Sequence, residues 1–297
     1  MRFTKAFKDH LAEKLKDKVV SIKELAHGAH NINYTVKCKK NKYLLRVYAN
    51  IQFDNVDKEY KVLKLLDGKY APKVFFKDKS KKYLTFNYLV EEFIEGKVIK
   101  KFRPEHIKQA AIALKNIHKT KKPTKKRIPC ISRWTRRTLE NNNPQAHLDL
   151  DWNELYKKAR IKATSLLKDY YKNKKHLELI HGDPIFLNCI FPKKGTVLID
   201  WEFGVFGDFV EDLATFIIED KLSKKEEHMF LKAYGYGIKK KEYDIVLGQK
   251  IKRNLALIAW LAQRINMVKQ GHVHKYDKLQ DHFKTLKKEV NYLKKML

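Results

Sequence analysis

The sequence predicts an α+β fold in which a small, sheet-rich region precedes a larger, mostly helical region. In the first hundred residues, short segments of alternating apolar and polar residues surround one segment with a helical period. Beyond them, long segments with a helical period dominate. We therefore expect a hinge near Glu92 to Gly96, with residues 1–93 forming one lobe and residues 94–297 the other. A cleft between two lobes is a usual place for a ligand.

The first region contains a clear hairpin signal. Apolar residues alternate with polar ones in "INYTVKCKK" and again in "NKYLLRVYAN", so we expect two antiparallel strands with a turn near Lys40 and Asn41. The segment "NVDKEYKVLKLLDG" has apolar residues at helical spacing and predicts a helix that ends at Gly68. Three more segments have strand character, namely residues 19–26, 71–78 and 84–94. The N-terminal residues 1–20 predict an amphipathic helix.

The second region is predicted to be helical, with one short hairpin. Helices are expected over residues 103–120, with Pro104 in the first turn, and over residues 150–175. The short strands "CIF" and "TVLIDW" flank the turn "PKKG". From Asp212 onward the pattern is helical.

Composition excludes several classes of protein. A hydrophobic content of 43% and a charged content of 33% are typical of a globular chain and not of a disordered one. No apolar run approaches the roughly 20 residues that a membrane helix needs. The lysine-rich N-terminus does not resemble a signal peptide. The three scattered cysteines, Cys38, Cys130 and Cys189, favour a reducing, cytoplasmic setting.

The formal net charge of +31 attracts anions such as nucleotides, nucleic acid and anionic lipid. The positive residues are mainly lysines spread along nearly every segment, whereas proteins that read nucleic-acid bases rely on arginine. We therefore interpret most of this charge as a solvated surface and expect no nucleic-acid partner. A surface that binds nucleic acid or anionic lipid is the alternative interpretation.

The stretch "LIHGDPIFLNCIFPKKGTVLIDW" places three polar side chains among apolar ones. Asp183 lies on a loop, where its carboxylate can accept a proton or a hydrogen bond from a substrate hydroxyl. Asn188 and Asp200 lie beside the two short strands, and oxygen ligands of this kind suit Mg²⁺. This order of a base, an asparagine and a second aspartate is typical of kinase-type phosphoryl transfer. The alternative is a hairpin whose polar residues only cap its turns.

These motifs resemble those of the choline/ethanolamine kinase and aminoglycoside phosphotransferase superfamily, relatives of the protein kinases. "HGDPIFLN" followed by "LIDWE" resembles its HGDxxxxN and DWE signatures. Weaker similarities follow the same order along most of the chain and are closest to bacterial choline kinases; they are "HGAHNINYTV", "KYLLRVY", "YLVEEFIEGKVI", "AIALKNIHK" and "GDFVEDLATF". The resemblance implies a two-lobed, protein-kinase-like fold with an antiparallel-sheet N-lobe, and a kinase that uses ATP and Mg²⁺.

The resemblance also implies roles for individual residues. Asp183 orients or deprotonates the acceptor hydroxyl, and Asn188 and Asp200 hold Mg²⁺. Arg46 contacts the phosphates and is held by Glu59. His181 and Asp212 are expected to support the catalytic loop. Backbone N–H groups are expected to cover the phosphates of the nucleotide at Gly28, Ala29, His30 and Asn31. The hinge backbone is expected to bind adenine at Glu92, Phe93 and Ile94.

The acceptor is predicted from aromatic and acidic residues. A quaternary ammonium is held by aromatic faces and a nearby carboxylate, for which Trp201, Glu202 and Trp260 are the candidates. The last helices contain few acids, which argues against a polycationic aminoglycoside. We therefore expect a small-molecule acceptor, with choline or ethanolamine favoured. Thiamine, a sugar or an aminoglycoside remains an alternative acceptor, and a non-catalytic basic binding protein on the same fold remains an alternative function.

Overall fold

The computed structural model describes residues 2–27, 31–49, 55–99, 102–123, 133–192, 195–271 and 278–297. Contacts divide the chain into two compact units. Unit 1 comprises Met1–Thr120 and Leu179–Phe206, and unit 2 comprises Lys121–Glu178 and Gly207–Leu297. These units divide at other positions than the expected hinge, and the assignment of residues 1–93 and 94–297 to two lobes stays a prediction.

Strands and helices of the described residues are numbered in chain order. The strands are β1 (Val19–His27), β2 (Ile32–Cys38), β3 (Lys42–Val47), β4 (Val74–Asp78), β5 (Tyr88–Glu92), β6 (Lys97–Val98), β7 (Lys121–Pro123), β8 (His176–Ile180), β9 (Cys189–Phe191), β10 (Val197–Leu198) and β11 (Val205–Gly207). The helices are α1 (Lys5–Leu15), α2 (Val56–Leu66), α3 (Pro104–Ile117), α4 (Arg133–Asn141), α5 (Trp152–Asn173), α6 (Phe209–Glu219), α7 (Lys224–Tyr234), α8 (Lys240–Lys269) and α9 (Leu279–Met296).

The predicted antiparallel sheet is confirmed in unit 1. Its five strands run in the order β1-β2-β3-β5-β4, and the pairs within it are antiparallel. Strands β2 and β3 form the expected hairpin, with Lys37 opposite Lys42. The backbone N–H of Asn41 donates to the Asp17 carboxylate at 2.9 Å, which fixes the turn. Unit 1 also contains a smaller antiparallel sheet in the order β10-β9-β6.

Helix α2 ends two residues before Gly68, the predicted stop. The helix ends at Leu66, and Asp67 adopts the left-handed cap conformation with its N–H bonded to Leu63 O. Aspartate enters this region more readily than most residues because its short polar side chain can bond locally. Gly68 follows with a φ of +77°, so the glycine continues the turn that Asp67 begins.

The predicted strands 84–94 and 196–201 are shorter in the structure, as β5 and β10. The second ends before Asp200, whose φ of +68° cannot continue a strand. α4 and β8 were not predicted. Charged side chains interrupt α4, so it lacks a clear apolar period. β8 does alternate through Leu177, Glu178 and Leu179, which was a usable strand signal.

Each unit contains a hydrophobic core. In unit 1, side chains of α1 pack on one face of the sheet, with Phe7, Leu11 and Leu45 fully buried. In unit 2, α5, α8 and α9 pack together around residues such as Ala159 and Leu255. Across the described residues, no helix combines the length and the apolar character needed to cross a membrane.

Candidate active site

The loop that carries Asp183 is held by the two residues before it. Gly182 has a φ of +84°, and a Cβ at this position would lie 2.8 Å from the Phe203 carbonyl oxygen. Only glycine therefore fits the turn. The His181 ring bonds to the Ile199 carbonyl oxygen at 2.9 Å through Nε2, while its Nδ1 accepts from the Asp183 N–H at 3.3 Å. This arrangement fixes the backbone at Asp183.

Asn188 lies directly beside Asp183. Its Nδ2 donates to the Asp183 carbonyl oxygen at 2.9 Å and to the Asp183 carboxylate at 3.2 Å. The Ile199 N–H donates to the Asn188 carbonyl oxygen at 2.9 Å. This bond places the residue before Asp200 next to Asn188. The fold thus brings together the three polar residues that the motif predicted.

Asp200 and Arg46 form an ion pair between the loop and the sheet. Asp200 precedes a short 3-10 helix, Trp201–Phe203, and its side chain is 37% exposed. Arg46 Nη1 lies 2.5 Å from the Asp200 carboxylate and 3.3 Å from Glu59 Oε1. Arg46 comes from β3 and Glu59 from α2, so sheet, helix and loop meet at one guanidinium.

Glu59 accepts further hydrogen bonds at the centre of this cluster. The Tyr48 hydroxyl donates to one carboxylate oxygen, and the Trp201 N–H donates to the other at 3.2 Å. Tyr48 and Glu59 are both buried. Tyr48 was not predicted. Its position two residues after Arg46 in "LLRVY" was a usable signal, because residues two apart on an extended chain point to the same face.

The cluster contains more carboxylates than cations. Burial raises the pKa of Glu91 to about 8 and that of Glu202 to about 7, and the neighbouring carboxylates Asp200 and Glu59 add to both shifts. Burial also raises the pKa of Glu59, against the opposing effect of Arg46. Four carboxylates therefore surround one arginine, an arrangement that favours the arrival of another cation.

The donor set fits Mg²⁺ better than a metal held by protein alone. Among the described residues, no group of three or more His, Cys, Asp or Glu is placed to hold a metal ion. Asp200 offers a partly exposed carboxylate, and Asn188 offers an amide oxygen. Mg²⁺ typically takes one or two protein oxygens and completes its shell with water and phosphate oxygens.

The residues predicted to contact the nucleotide are only partly described. Gly28, Ala29 and His30 lie outside the described residues. At the predicted hinge, Glu92 ends β5, and its N–H donates to the Lys73 carbonyl oxygen at 2.8 Å. Phe93 and Ile94 follow and are half-buried. The adenine contact assigned to these three residues stays a prediction.

The structure places the predicted acceptor residues in different environments. Trp201 is fully buried, and its indole N–H donates to the Leu198 carbonyl oxygen at 2.8 Å. This placement favours packing over the predicted contact with a substrate. Glu202 is buried and accepts from Asn31. In unit 2, Trp260 lies on α8, partly buried, with its ring against His282, and Asp212 is buried on α6.

A model of the phosphotransferase enzyme family matches residues 21–245, which include every element of this cluster. The chain belongs to this phosphotransferase family. The match confirms the family that the HGD and DWE motifs indicated.

Solved structures of the same fold accompany this family match. The ethanolamine kinase of Plasmodium vivax is 18% identical, with a TM-score of 0.66 over 93% of this chain and 84% of that one. The choline kinase LicA of Streptococcus pneumoniae is 19% identical, with a TM-score of 0.64 over 97% of this chain and 99% of that one. A spectinomycin phosphotransferase in complex with ADP and spectinomycin is 15% identical, with a TM-score of 0.67 over 97% and 98%.

A curated relative, the protein LicA homolog of Metamycoplasma hominis, is 34% identical over 82 residues. The match spans 28% of this chain and 32% of that relative. The solved structures show the protein-kinase-like fold of the phosphotransferase family. Their sequence identities lie below 20% and the match to the curated relative is partial, so these similarities do not identify an acceptor.

Proposed function

We propose that this phosphotransferase is an ATP- and Mg²⁺-dependent kinase that phosphorylates the hydroxyl group of a small molecule, with choline as the leading acceptor. The observation that carries the proposal is the excess of carboxylates around Arg46, next to the hydrogen-bonded pair Asp183 and Asn188. A nucleotide donor agrees with the ADP bound to the related spectinomycin phosphotransferase. Bound Mg²⁺ would neutralise charge on the transferring phosphoryl group.

The residues of the loop then divide the chemical work. The Asp183 carboxylate orients the acceptor hydroxyl and takes its proton, while Asn188 fixes that carboxylate from the side at 3.2 Å. Asp200 and the amide oxygen of Asn188 would hold the metal. Arg46, anchored by Glu59, would contact the phosphates. Because phosphoryl transfer depends mainly on positioning and charge, the anchoring contacts matter as much as the base.

Choline is favoured over a polyamine because the late helices offer few acids. In the 30 residues of α8, the acids are Glu242 and Asp244, both near its N-terminus. On α9, Glu289 is already bonded to the Asn254 amide at 2.9 Å. Trp260, partly buried on α8, supplies an aromatic face suited to a quaternary ammonium. An aminoglycoside with several amines would need more unpaired carboxylates.

The decisive experiment measures ADP release by the purified protein with choline, ethanolamine, thiamine and kanamycin as separate acceptors. We expect turnover with choline that requires Mg²⁺, and its loss in Asp183→Asn. Asp169→Asn, a change at an exposed aspartate on α5, is the matched control and should behave as wild type. Turnover with kanamycin alone would refute the choline assignment. Absence of turnover with every acceptor, together with salt-sensitive RNA binding, would refute the kinase itself.

A further inference from the structure

A buried hydrogen bond joins Asn31 to Glu202 across 171 positions of the sequence. Asn31 Nδ2 donates to Glu202 Oε2 at 2.8 Å. Asn31 is 5% exposed and Glu202 is 6% exposed. Within the described residues, Asn31 is the only hydrogen-bond donor to this carboxylate. Breaking a buried hydrogen bond of this kind leaves its partner without a substitute from water, which costs more than the bond itself contributes.

The two residues lie at the ends of two different parts of the candidate site. Asn31 immediately precedes β2 and is the last of the four residues predicted to cover the phosphates. Strand β2 is fixed on both sides, since Ile32 pairs with His27 of β1 and with Val47 of β3. Glu202 lies two residues after Asp200, in the short 3-10 helix that Glu59 holds through the Trp201 N–H. The hydrogen bond therefore connects the start of β2 to the turn that carries Asp200.

The chemistry of the donor suits an orienting contact. An amide N–H fixes the carboxylate without adding a charge to a cluster that already has Arg46 as its cation. Lys58 of α2 lies near the same turn, with Nζ 5.9 Å from the centre of the Phe203 ring. Burial lowers the pKa of Lys58, against an opposing effect of Glu202, so the lysine is part of the surroundings of this carboxylate.

We infer that Asn31 is a positioning residue that holds Glu202 and thereby keeps the start of β2 and the Asp200 turn in the arrangement that binds the nucleotide. The inference rests on the proposed function. It gives Glu202 a positioning role instead of the predicted contact with the acceptor. A buried carboxylate already bonded to an amide is a poor partner for a choline ammonium, which would have to displace that bond.

The test is a double-mutant cycle of wild type, Asn31→Ala, Glu202→Ala and the double variant. For each protein, the dissociation constant of ADP with Mg²⁺ is measured without turnover, and KM for ATP, KM for the acceptor and kcat are measured separately. Lys37→Ala is the matched control, because Lys37 is an exposed polar residue of the same strand, β2. The control should bind ADP as wild type does.

We expect Asn31→Ala to weaken ADP binding about tenfold, because it leaves the buried Glu202 side chain without its hydrogen-bond partner. KM for ATP should rise in parallel, and KM for the acceptor should change little. The two single substitutions should be strongly non-additive, because each removes the same contact. Asn31→Asp, which preserves the shape but replaces the donor with a carboxylate, should weaken ADP binding further and provides a second variant if Asn31→Ala does not fold.

Two results would overturn the inference. One is wild-type affinity for ADP in both Asn31 variants. The other is a rise of KM confined to the acceptor, which would restore the role of Glu202 in acceptor binding. Wild-type protein that binds no nucleotide would overturn the proposed function and this inference together. Wild-type protein that binds ADP, depends on Asn31 for it and phosphorylates no acceptor in the panel would support the inference while refuting the choline assignment.

Discussion

The two units of this phosphotransferase differ in how they balance buried charge. In unit 2, several acids have cationic or hydroxyl partners. Lys174 lies 2.9 Å from Glu178 and 3.1 Å from Asp208, and the Tyr170 hydroxyl donates to Asp208 at 2.7 Å. Lys252 lies 2.8 Å from Glu211. In unit 1, by contrast, Arg46 faces Glu59, Asp200, Glu91 and Glu202.

We interpret the ion pairs of unit 2 as contributions to folding, and the carboxyl groups around Arg46 in unit 1 as part of the candidate site. A buried ion pair is tolerated when its partners satisfy each other, and the fold loses stability when one partner is removed. In a cluster with more carboxyl groups than cations, burial and mutual repulsion raise the pKa values, so that carboxyl groups hold protons that an arriving cation can displace. This is a property of a binding site and not of a core. We therefore expect substitutions around Arg46 in unit 1 to lower activity more than stability, and substitutions in the ion pairs of unit 2 to lower stability.

The largest expected effect is that of Asp200→Asn on catalysis. Removing this carboxylate should lower kcat/KM by about 1,000-fold or more, because a catalytic metal contributes several kcal/mol to the transition state. The same change relieves repulsion within the unit 1 cluster, so the free energy of unfolding should stay unchanged or rise. Steady-state kinetics and urea denaturation measure the two quantities. A variant that is both inactive and markedly less stable would show that Asp200 is structural.

The next effect is on stability in unit 2. Lys174→Met leaves Asp208 and Glu178 without their shared cation, and we expect a loss of about 3 kcal/mol in the free energy of unfolding. Urea denaturation of this variant is compared with that of Lys172→Met, a change at an exposed lysine two positions earlier. Equal stability of the two variants would contradict the idea that charge in unit 2 is balanced pair by pair.

The pH dependence of stability should come mainly from unit 1. The pKa of Glu91 is raised to about 8 in the folded protein, above its ordinary value of about 4.5. The folded state therefore holds a proton that the unfolded state releases, and stability should fall as pH rises from about 5 to 8. The slope for one such carboxyl is at most about 1.4 kcal/mol per pH unit.

The substitution Glu91→Gln should flatten this slope, because glutamine mimics the protonated acid at every pH. Urea denaturation of wild type and variant at several pH values between 5 and 8 measures the difference. The same slope in both proteins would mean that Glu91 does not hold the proton responsible for the pH dependence of stability.

The smallest expected effect is that of Tyr48→Phe, which removes the hydroxyl donor to Glu59. Loss of one buried hydrogen bond to a carboxylate should cost about 1–2 kcal/mol of stability. Because Glu59 anchors Arg46, KM for ATP should rise with it. Tyr70→Phe, at an exposed tyrosine, is the control for both thermal unfolding and kinetics. An unchanged KM would show that the anchoring of Arg46 does not depend on Tyr48.

Some parts of the site were predictable because they are local. The glycine of "HGD" is required by a left-handed turn, and the spacing from Asp183 to Asn188 spans one loop, so both could be recognised from a short motif. The β2–β3 hairpin was equally local. Two chain breaks were not predicted, namely the cap of α2 at Asp67 and the end of the strand before Asp200. In both cases a non-glycine residue adopts a left-handed conformation.

Contacts between distant parts of the chain explain the remaining differences. Trp201 was expected to face a substrate because it follows Asp200, a predicted metal ligand, yet its indole N–H donates to the Leu198 carbonyl oxygen inside the core. Glu91 was missed because "LVEEF" is unremarkable in sequence, and its altered pKa comes from burial beside residues of β3, α2 and the Asp200 turn. Nothing in the local sequence around Asn31 or Glu202 indicates that these two residues meet.

By itself, the sequence determined the α+β class, the hairpin, the family and the order of Asp183, Asn188 and Asp200, because each of these depends on local spacing or on a motif. Tertiary structure alone decided that four carboxylates share the surroundings of one arginine while several acids of unit 2 have partners of their own. The physical reason is that ionisation depends on burial and on charges brought close by folding, and neither is a property of neighbouring residues in the chain.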